Sequence, residues 1–414
     1  MTSDEQQAGD HCTSVPALGL GWRIGLGLVS LLVGAGIWLP SVHWLFIPRE
    51  GEFRSAAGLS PVSRKLAERH LRLWTDPELK KRELDQMRLS NPEWDFMGRT
   101  FLVLSLANMC LRDPEGKTAY LPVIDQIIAD TERLLAEEGN LYFLMEYARR
   151  GRFVQKPPRS VFIDGEVALM IASRRFVEEK DYAEPLSARV ECMVQRMKAS
   201  PVLSCESYPD ECWMFCNIVA AATIKMHDVL DGTDHTAFLR EWLATVKEKL
   251  THPETGLLWS SYGYAGYPID GPEGSTIWMA AHCLQIVDEA FAEDQYRRAC
   301  RELRASWLGF AWAREWPESW KGPADVDSGP IIPFFEISAG SSGMAFLGAA
   351  SFHDDAYYNA LVTTLKFSAL PVERDGQLKF CASNQVGDAV LLYSTVMGPL
   401  WEEVRRRDRA REVL

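Results

Sequence analysis

Residues 205–217 read CESYPDECWMFCN and crowd three thiols, three carboxylates and three aromatic rings into one short stretch. Cys205, Cys212 and Cys216 have no histidine pattern beside them that would complete a zinc site, so a metal is not expected there. Carboxylates buried among Trp and Tyr keep their protons to a higher pH and can serve as acids. A second cluster, Asp325-Val326-Asp327-Ser328-Gly329-Pro330, precedes the small-residue run Ser338 to Gly343. It lacks the closing Glu of an EF-hand, so Ca²⁺ is not expected. It reads as a turn and helix cap, or as a loop that turns Asp325 and Asp327 into a cavity.

Helices must position these groups. Apolar residues recur at helical spacing over 61–74, 93–112, 119–138, 162–179, 183–198, 213–230, 235–250, 274–290, 293–310, 336–351, 354–368 and 386–406. Asp113-Pro114, Pro157-Pro158, the turn 231–234, His252-Pro253 and Gly271-Pro272 punctuate them. Strand-like alternation is scarce. About a dozen helices joined by short and long loops in turn predict an all-α fold, an (α/α)6 barrel of six inner and six outer helices. The long loops 199–212, 254–273 and 312–335 would gather on one rim and build the cleft.

The totals bound the class. A chain of 414 residues that is 47% hydrophobic, with fourteen Trp, can bury a large core. Its net charge of −13 argues against nucleic acid, since the one dense basic run, Arg405 to Arg411, suits the last turn of a helix. Nine Cys make an odd count without a disulfide framework, and Cys110, Cys192, Cys283 and Cys300 read as core.

Residues 24–48 carry no formal charge and are long enough to cross a hydrocarbon core of roughly 30 Å. Trp22, Trp38 and Trp44 suit the interfaces, and Pro40 would kink or end the helix. The apolar run is too long for a signal peptide, its leader is acidic, and no small-residue cleavage site follows. The expected layout is a tail over 1–23, a single-pass membrane anchor over 24–48 and a barrel domain over 54–414. Arg49, Arg54, Arg64 and Lys65 after the span favour a cytoplasmic barrel.

The order of motifs C-E, P-D, C-N, a helix, the G-T-D of Gly232, Thr233 and Asp234, a W-L helix, the H-P-E-x-G of His252 to Gly256, and S-Y resembles the linalool dehydratase/isomerase family over about 200 residues. The resemblance implies dehydration of linalool to myrcene and isomerisation to geraniol, carried by two Cys, an Asp, a His and Tyr residues. It also points to a periplasmic domain, against the charge asymmetry. By position Cys205 and Cys216 match the two thiols, with two extra residues between them, and Asp95 in NPEWDF matches the Asp. The family's His falls on Glu166, in Ile163-Asp164-Gly165-Glu166; its Tyr before the T-T-A-W stretch falls on Gly274, beside Glu273; another Tyr falls on Phe101. The thiols are kept, while imidazole and phenol give way to carboxylate and apolar groups.

Dehydrating an alcohol needs an acid for the leaving hydroxyl and a base for the adjacent carbon. Glu166 can be that acid, or a helix N-terminal Glu that complements the macrodipole. Cys205 and Cys216 are catalytic or structural thiols, and Cys212 packs. The first expectation is therefore a lyase or isomerase without a cofactor, acting on a small, largely apolar alcohol. Trp94, Tyr208, Trp213, Tyr262 and Trp278 would line its cleft, with Asp210, Glu273 and Asp327 as polar contacts. A glycoside hydrolase pairing Glu166 with Asp95 or Asp327 is the second, and a membrane-tethered scaffold without catalysis the third. Assembly into a homo-oligomer stays open.

Overall fold

The computed structural model describes residues 19–179, 182–324 and 328–412. Asp325 and Asp327 lie outside the described residues.

Helix α1, Leu20–Ser41, carries Pro40 in its last turn and passes into a 3₁₀ turn, Val42–Leu45. None of its residues is buried against the rest of the chain. This one helix, among the described residues, is long and apolar enough to cross a membrane.

Twelve helices then alternate between two layers. They are α2 (Pro61–Thr75), α3 (Pro92–Arg112), α4 (Lys117–Glu138), α5 (Val161–Val177), α6 (Ala183–Lys198) and α7 (Met214–Asp231). The series continues with α8 (Thr236–Lys249), α9 (Gly274–Leu284), α10 (Glu289–Glu302), α11 (Ala339–Ser351), α12 (Asp355–Ser368) and α13 (Gln385–Val396). The odd helices from α3 to α13 pack each against the next, and α13 packs back on α3, so six inner helices close a ring. Burial separates the layers. Every residue of α5 from Val161 to Phe176 is buried. Outer α6 buries one stripe, with Leu186, Val190, Met193 and Met197 on it, at the spacing of an amphipathic helix. The fold is an (α/α)6 barrel.

A last helix, α14 (Pro399–Glu412), closes one end of the ring. Its Leu400 N–H donates to Asn108 Oδ1 at 3.0 Å, and Trp401 Nε1 donates to the His282 carbonyl at 3.1 Å and stacks on that ring at 4.7 Å. Both acceptors lie near the C-termini of inner helices. The inner helices therefore run parallel, with their C-termini under α14 and their N-termini at the open end.

Three helix boundaries differ from the periodic pattern. The pattern over 274–290 breaks at Leu284, because the Asp288 carboxylate accepts from Phe291 N–H at 3.0 Å and caps a new helix. That over 293–310 ends at Glu302 and becomes a hairpin, Arg304–Trp307 with Phe310–Ala313, turned by Leu308 (φ 49°) and Gly309 (φ 82°). That over 386–406 splits at Gly398 (φ 131°), which precedes Pro399.

Candidate active site

The open end of the ring is where the thiol-rich stretch enters the barrel. A turn at Pro209 and Asp210 (φ 57°) folds Tyr208 back onto Glu211. The backbone then runs through the short strand Cys212–Trp213, paired with Ser261–Tyr262, straight into α7. Two side chains pin this path. Glu206, fully buried, accepts the N–H groups of Val154 (2.9 Å), Gln155 (2.6 Å) and Asp210 (2.7 Å). The Asn217 amide accepts the Cys205 N–H at 2.8 Å and donates to the carbonyls of Cys205 (3.0 Å) and Trp213 (2.9 Å).

Glu166 sits in the second turn of α5, 2% exposed, and one oxygen accepts the Thr100 hydroxyl of α3 at 2.6 Å. Burial outweighs that bond and pushes its carboxyl up to about 8, so it holds its proton at neutral pH. Cys216, in the first turn of α7, faces it. Burial raises this thiol far above its ordinary range, a hydrogen bond with Ser207 opposes the shift, and the acids Glu166, Glu93 and Glu211 add to it when ionised. Tyr208 donates its hydroxyl to Glu93, which also accepts the Met145 N–H at 3.0 Å. Burial raises Tyr208 well above 10, with Glu93, Cys216 and Tyr147 contributing. Trp213 Nε1 donates to Glu211 at 2.5 Å. One cluster thus gathers Glu93, Glu166, Tyr208, Glu211 and Cys216 around the mouth of the barrel.

The structure separates the four residues that the resemblance assigns to catalysis. Glu166 and Cys216 share the cluster; Cys205 and Asp95 do not face it. The Cys205 thiol points to the Met193 carbonyl of outer helix α6, 3.6 Å away. Burial raises it to about 12, with Arg196, Asp164, Cys192 and Glu206 as its charged surroundings. Asp95 is held between layers by Arg99 (3.1 Å) and Arg88 (3.5 Å), and Arg99 also reaches Asp130 of outer helix α4 at 2.9 Å. Burial raises the Asp95 carboxyl and the two guanidinium groups lower it. The reason is angular: Glu93 and Thr100 stand seven residues apart on the axial stripe of α3, whereas Asp95 and Arg99 stand on the stripe facing outward.

The expected lining divides in the same way. Tyr208 and Trp213 belong to the cluster through Glu93 and Glu211. Tyr262 is fully buried, bonded to Ser204 Oγ at 2.8 Å, with Cys205, Cys212 and Cys216 around it. Trp94 is half-buried at the start of α3, its N–H donated to Asn91 Oδ1 at 2.9 Å. Asp210 is exposed, accepting Tyr267 OH at 3.1 Å and Tyr264 N–H at 3.3 Å. Glu273 is buried at the cap position of α9, its N–H bonded to Ser260 Oγ at 2.7 Å. Trp278 turns to Ser341, Tyr296 and Tyr357 instead of the mouth.

Sequence reasoning missed Glu93, Glu211, Thr100 and Glu315. The stripe spacing of 93 and 100 was a usable signal. Glu315, 1% exposed, gathers the hydroxyls of Ser275 (2.7 Å), Ser328 (2.8 Å) and Ser338 (2.5 Å), and so ties the loop before α11 to the first turn of α9. Asp388 is another raised acid, pushed to about 7 by burial, but its partners Ser383 and Arg69 place it between α13 and α2. His227, Asp228 and His235 bring donor atoms within 4.8 Å of one another at the far end of α7. Thr233 Oγ1 already bonds Asp228 (2.7 Å) and His227 (3.1 Å), and His235 Nδ1 bonds Asp228 (2.6 Å), which makes this the polar lock of the G-T-D turn.

The positions of the thiols set an expectation. Cys216→Ala removes most turnover while the helical circular dichroism persists. Cys205→Ala costs on the order of 1–2 kcal/mol of stability and leaves turnover of the folded protein near normal. Equal losses of folding in both variants would make Cys216 a wall residue as well.

A family model described as linalool dehydratase/isomerase matches residues 177–385 of this chain. Among solved structures, a GH76 α-mannanase of Bacteroides thetaiotaomicron is similar, with a TM-score of 0.45 and 10% identity, over 77% of this chain and 87% of that one.

Proposed function

The chain belongs to the linalool dehydratase/isomerase family, and on that premise we propose that it dehydrates or isomerises a small, largely apolar alcohol by acid–base chemistry at the mouth of its barrel. The observation that carries this reading is Glu166, a carboxyl 2% exposed that accepts the Thr100 hydroxyl and has the thiols of Cys216 and Cys283 near it. It occupies the position where the resemblance puts the family's histidine.

Glu166 holds its proton at neutral pH and delivers it to the leaving hydroxyl. The C–O bond breaks, water leaves, and positive charge develops on carbon. Tyr208 and Trp213 face that charge with their rings, and the surrounding carboxylates stabilise it. Glu93, already the acceptor of the Tyr208 hydroxyl, takes the proton from the adjacent carbon to give the alkene. Return of water at a second carbon gives the isomer instead. Cys216 acts as a neutral thiol that donates a hydrogen bond, because burial and the neighbouring carboxylates of Glu93 and Glu211 oppose its ionisation. Of the paired-acid glycosidase readings, the pairing of Glu166 with Asp95 loses support, since Asp95 is engaged by two arginines on the outward face of α3; the pairing with Asp327 lies outside the described residues.

The test is direct. Full-length protein is incubated with tertiary and allylic C5–C15 alcohols, and alkenes and rearranged alcohols are followed by gas chromatography. Hydrolysis of glycan substrates with no alkene from any alcohol would reverse the assignment.

The reading of α1 as a membrane anchor belongs with this function. The apolar stretch Leu20–Leu45, helix and following turn, holds an 18-residue window with a mean hydropathy of 1.8, none of which is buried in the chain. Full-length protein is expected in the membrane fraction, resistant to carbonate extraction. A mature N-terminus beyond residue 48 would instead mark a cleaved leader.

A further inference from the structure

The chain leaves α1 against the barrel at one defined place. The His43 ring packs edge-on to Phe310 at 6.2 Å, Phe46 packs on Phe367 at 5.1 Å, and Phe310 contacts Phe367 at 5.1 Å. Gly309 is required there, because a Cβ would meet the His43 ring at 2.3 Å. Around this junction the surface is apolar. Trp307 is 55% exposed, Ile332 53%, Phe334 101%, Phe335 46%, Phe367 50% and Leu370 63%. Single exposed apolar residues need no explanation, but a contiguous patch on a folded domain marks a contact surface. Trp307 and Phe335 touch, with ring centroids 5.8 Å apart, and the Phe335 carbonyl is fixed by Trp312 Nε1 at 2.8 Å. Phe334 is held at φ 68°, a region unfavourable for a bulky residue, and its ring stands wholly in the open. A backbone that spends strain on exposing an aromatic ring implies something for the ring to enter.

The position of this patch follows from topology. Trp307 and the loop 331–338 lie on the connection from outer α10 to inner α11, and Leu370 lies on that from outer α12 to inner α13. Connections of this direction all end at N-termini of inner helices, so the patch and the Glu166 cluster share the open end of the barrel. The loop 331–338 ends in Ser338, whose hydroxyl bonds Glu315, the acceptor also of Ser275 in the first turn of α9.

We propose that this end of the barrel rests on the lipid bilayer, with Trp307, Ile332, Phe334 and Phe335 in the interfacial region beside the anchor, so that an apolar substrate reaches the mouth from the membrane. The proposal depends on the reading that α1 crosses the membrane, and the patch is continuous with α1 through His43 and Phe46. Exposed Trp and Phe flanking a span are the residues that settle at headgroup depth.

The experiment uses full-length protein in phosphatidylcholine nanodiscs, with and without lipid brominated near the top of its acyl chains. Bromine quenches tryptophan only at contact range. Wild type minus Trp307→Phe isolates the Trp307 emission from that of Trp22, Trp38 and Trp44. The expected result is a difference emission quenched at least two-fold by the brominated lipid. A double variant, Ile332→Asp with Phe334→Asp, is expected to abolish that quenching while the chain still co-elutes with the nanodiscs. Both substitutions are at exposed positions, and circular dichroism checks the fold. An unquenched Trp307 in a chain that co-elutes with the discs overturns the proposal and leaves the anchor standing, including the case where a second copy covers the patch. A chain that does not co-elute overturns the anchor first and this proposal with it.

Discussion

Glu166→Gln lowers turnover by roughly 10²–10⁴-fold, the usual worth of a positioned general acid, with the helical fold unchanged. Gln keeps the shape of the side chain and can still accept from Thr100, but it has no proton to give. The same substitution is expected to change the pH dependence of stability. Burial raises the carboxyl from its ordinary 4.5 to about 8. Between those values the folded chain keeps a proton that the unfolded chain releases, so stability falls as pH rises. The contribution is complete below pH 4.5 and lost as pH passes about 8. Wild-type melting temperature should therefore decline from pH 5 to pH 8, Glu166→Gln should make that decline shallower while the raised Asp388 carboxyl keeps its own share, and wild-type turnover should fall above about pH 8. Glu166→His is expected to restore part of the activity by returning imidazole to the family position. Normal turnover in Glu166→Gln together with a flattened stability profile would show a buried acid that titrates and takes no part in catalysis.

The helical layer was legible in the sequence because burial imposes a period. Inner α5 has apolar residues on all its faces, with Asp164, Glu166, Ser173, Arg174 and Arg175 among them, and is buried all round, whereas outer α6 is buried along one stripe. The hairpin at Leu308-Gly309 was hidden, since its apolar residues also fit a helical spacing and the deciding fact is the backbone conformation at two residues. The site was half legible. Glu166 and Cys216 stand on regular helices, where position in sequence fixes direction. Cys205 stands in a loop whose course is set by Asn217 of α7 and by the bonds of Glu206 to Val154 and Gln155, so its spacing from Cys216 said nothing about where the thiol points. Glu93 was legible from the stripe it shares with Thr100, but Asp95 in the same turn offers the same chemistry, and only the direction of each side chain separates the two.

Asp95→Ala is expected to destabilise the protein by about 3–5 kcal/mol, because removing one partner of a buried pair leaves the other charge in an apolar setting. Arg99 is 1% exposed at its side chain and lies 3.1 Å from Asp95, with Trp74 and Phe143 around its guanidinium. Asp130 remains to it at 2.9 Å, which sets the loss toward the lower end of that range. Asp95→Asn separates the two roles. If Asp95 served the chemistry, the Asn variant would melt near wild type and lose its turnover. With Asp95 bound between α3 and α4, the Asn variant should melt several degrees lower and turn over normally at temperatures where it is folded. Asp95→Leu combined with Arg99→Met should recover much of the lost stability, since both buried charges go together. The groups left behind keep partners: Asp130 has Lys80 and Arg133, and Arg88 has Asp85. Loss of turnover in the folded double variant would return Asp95 to the active site and require the mouth to rearrange on binding substrate.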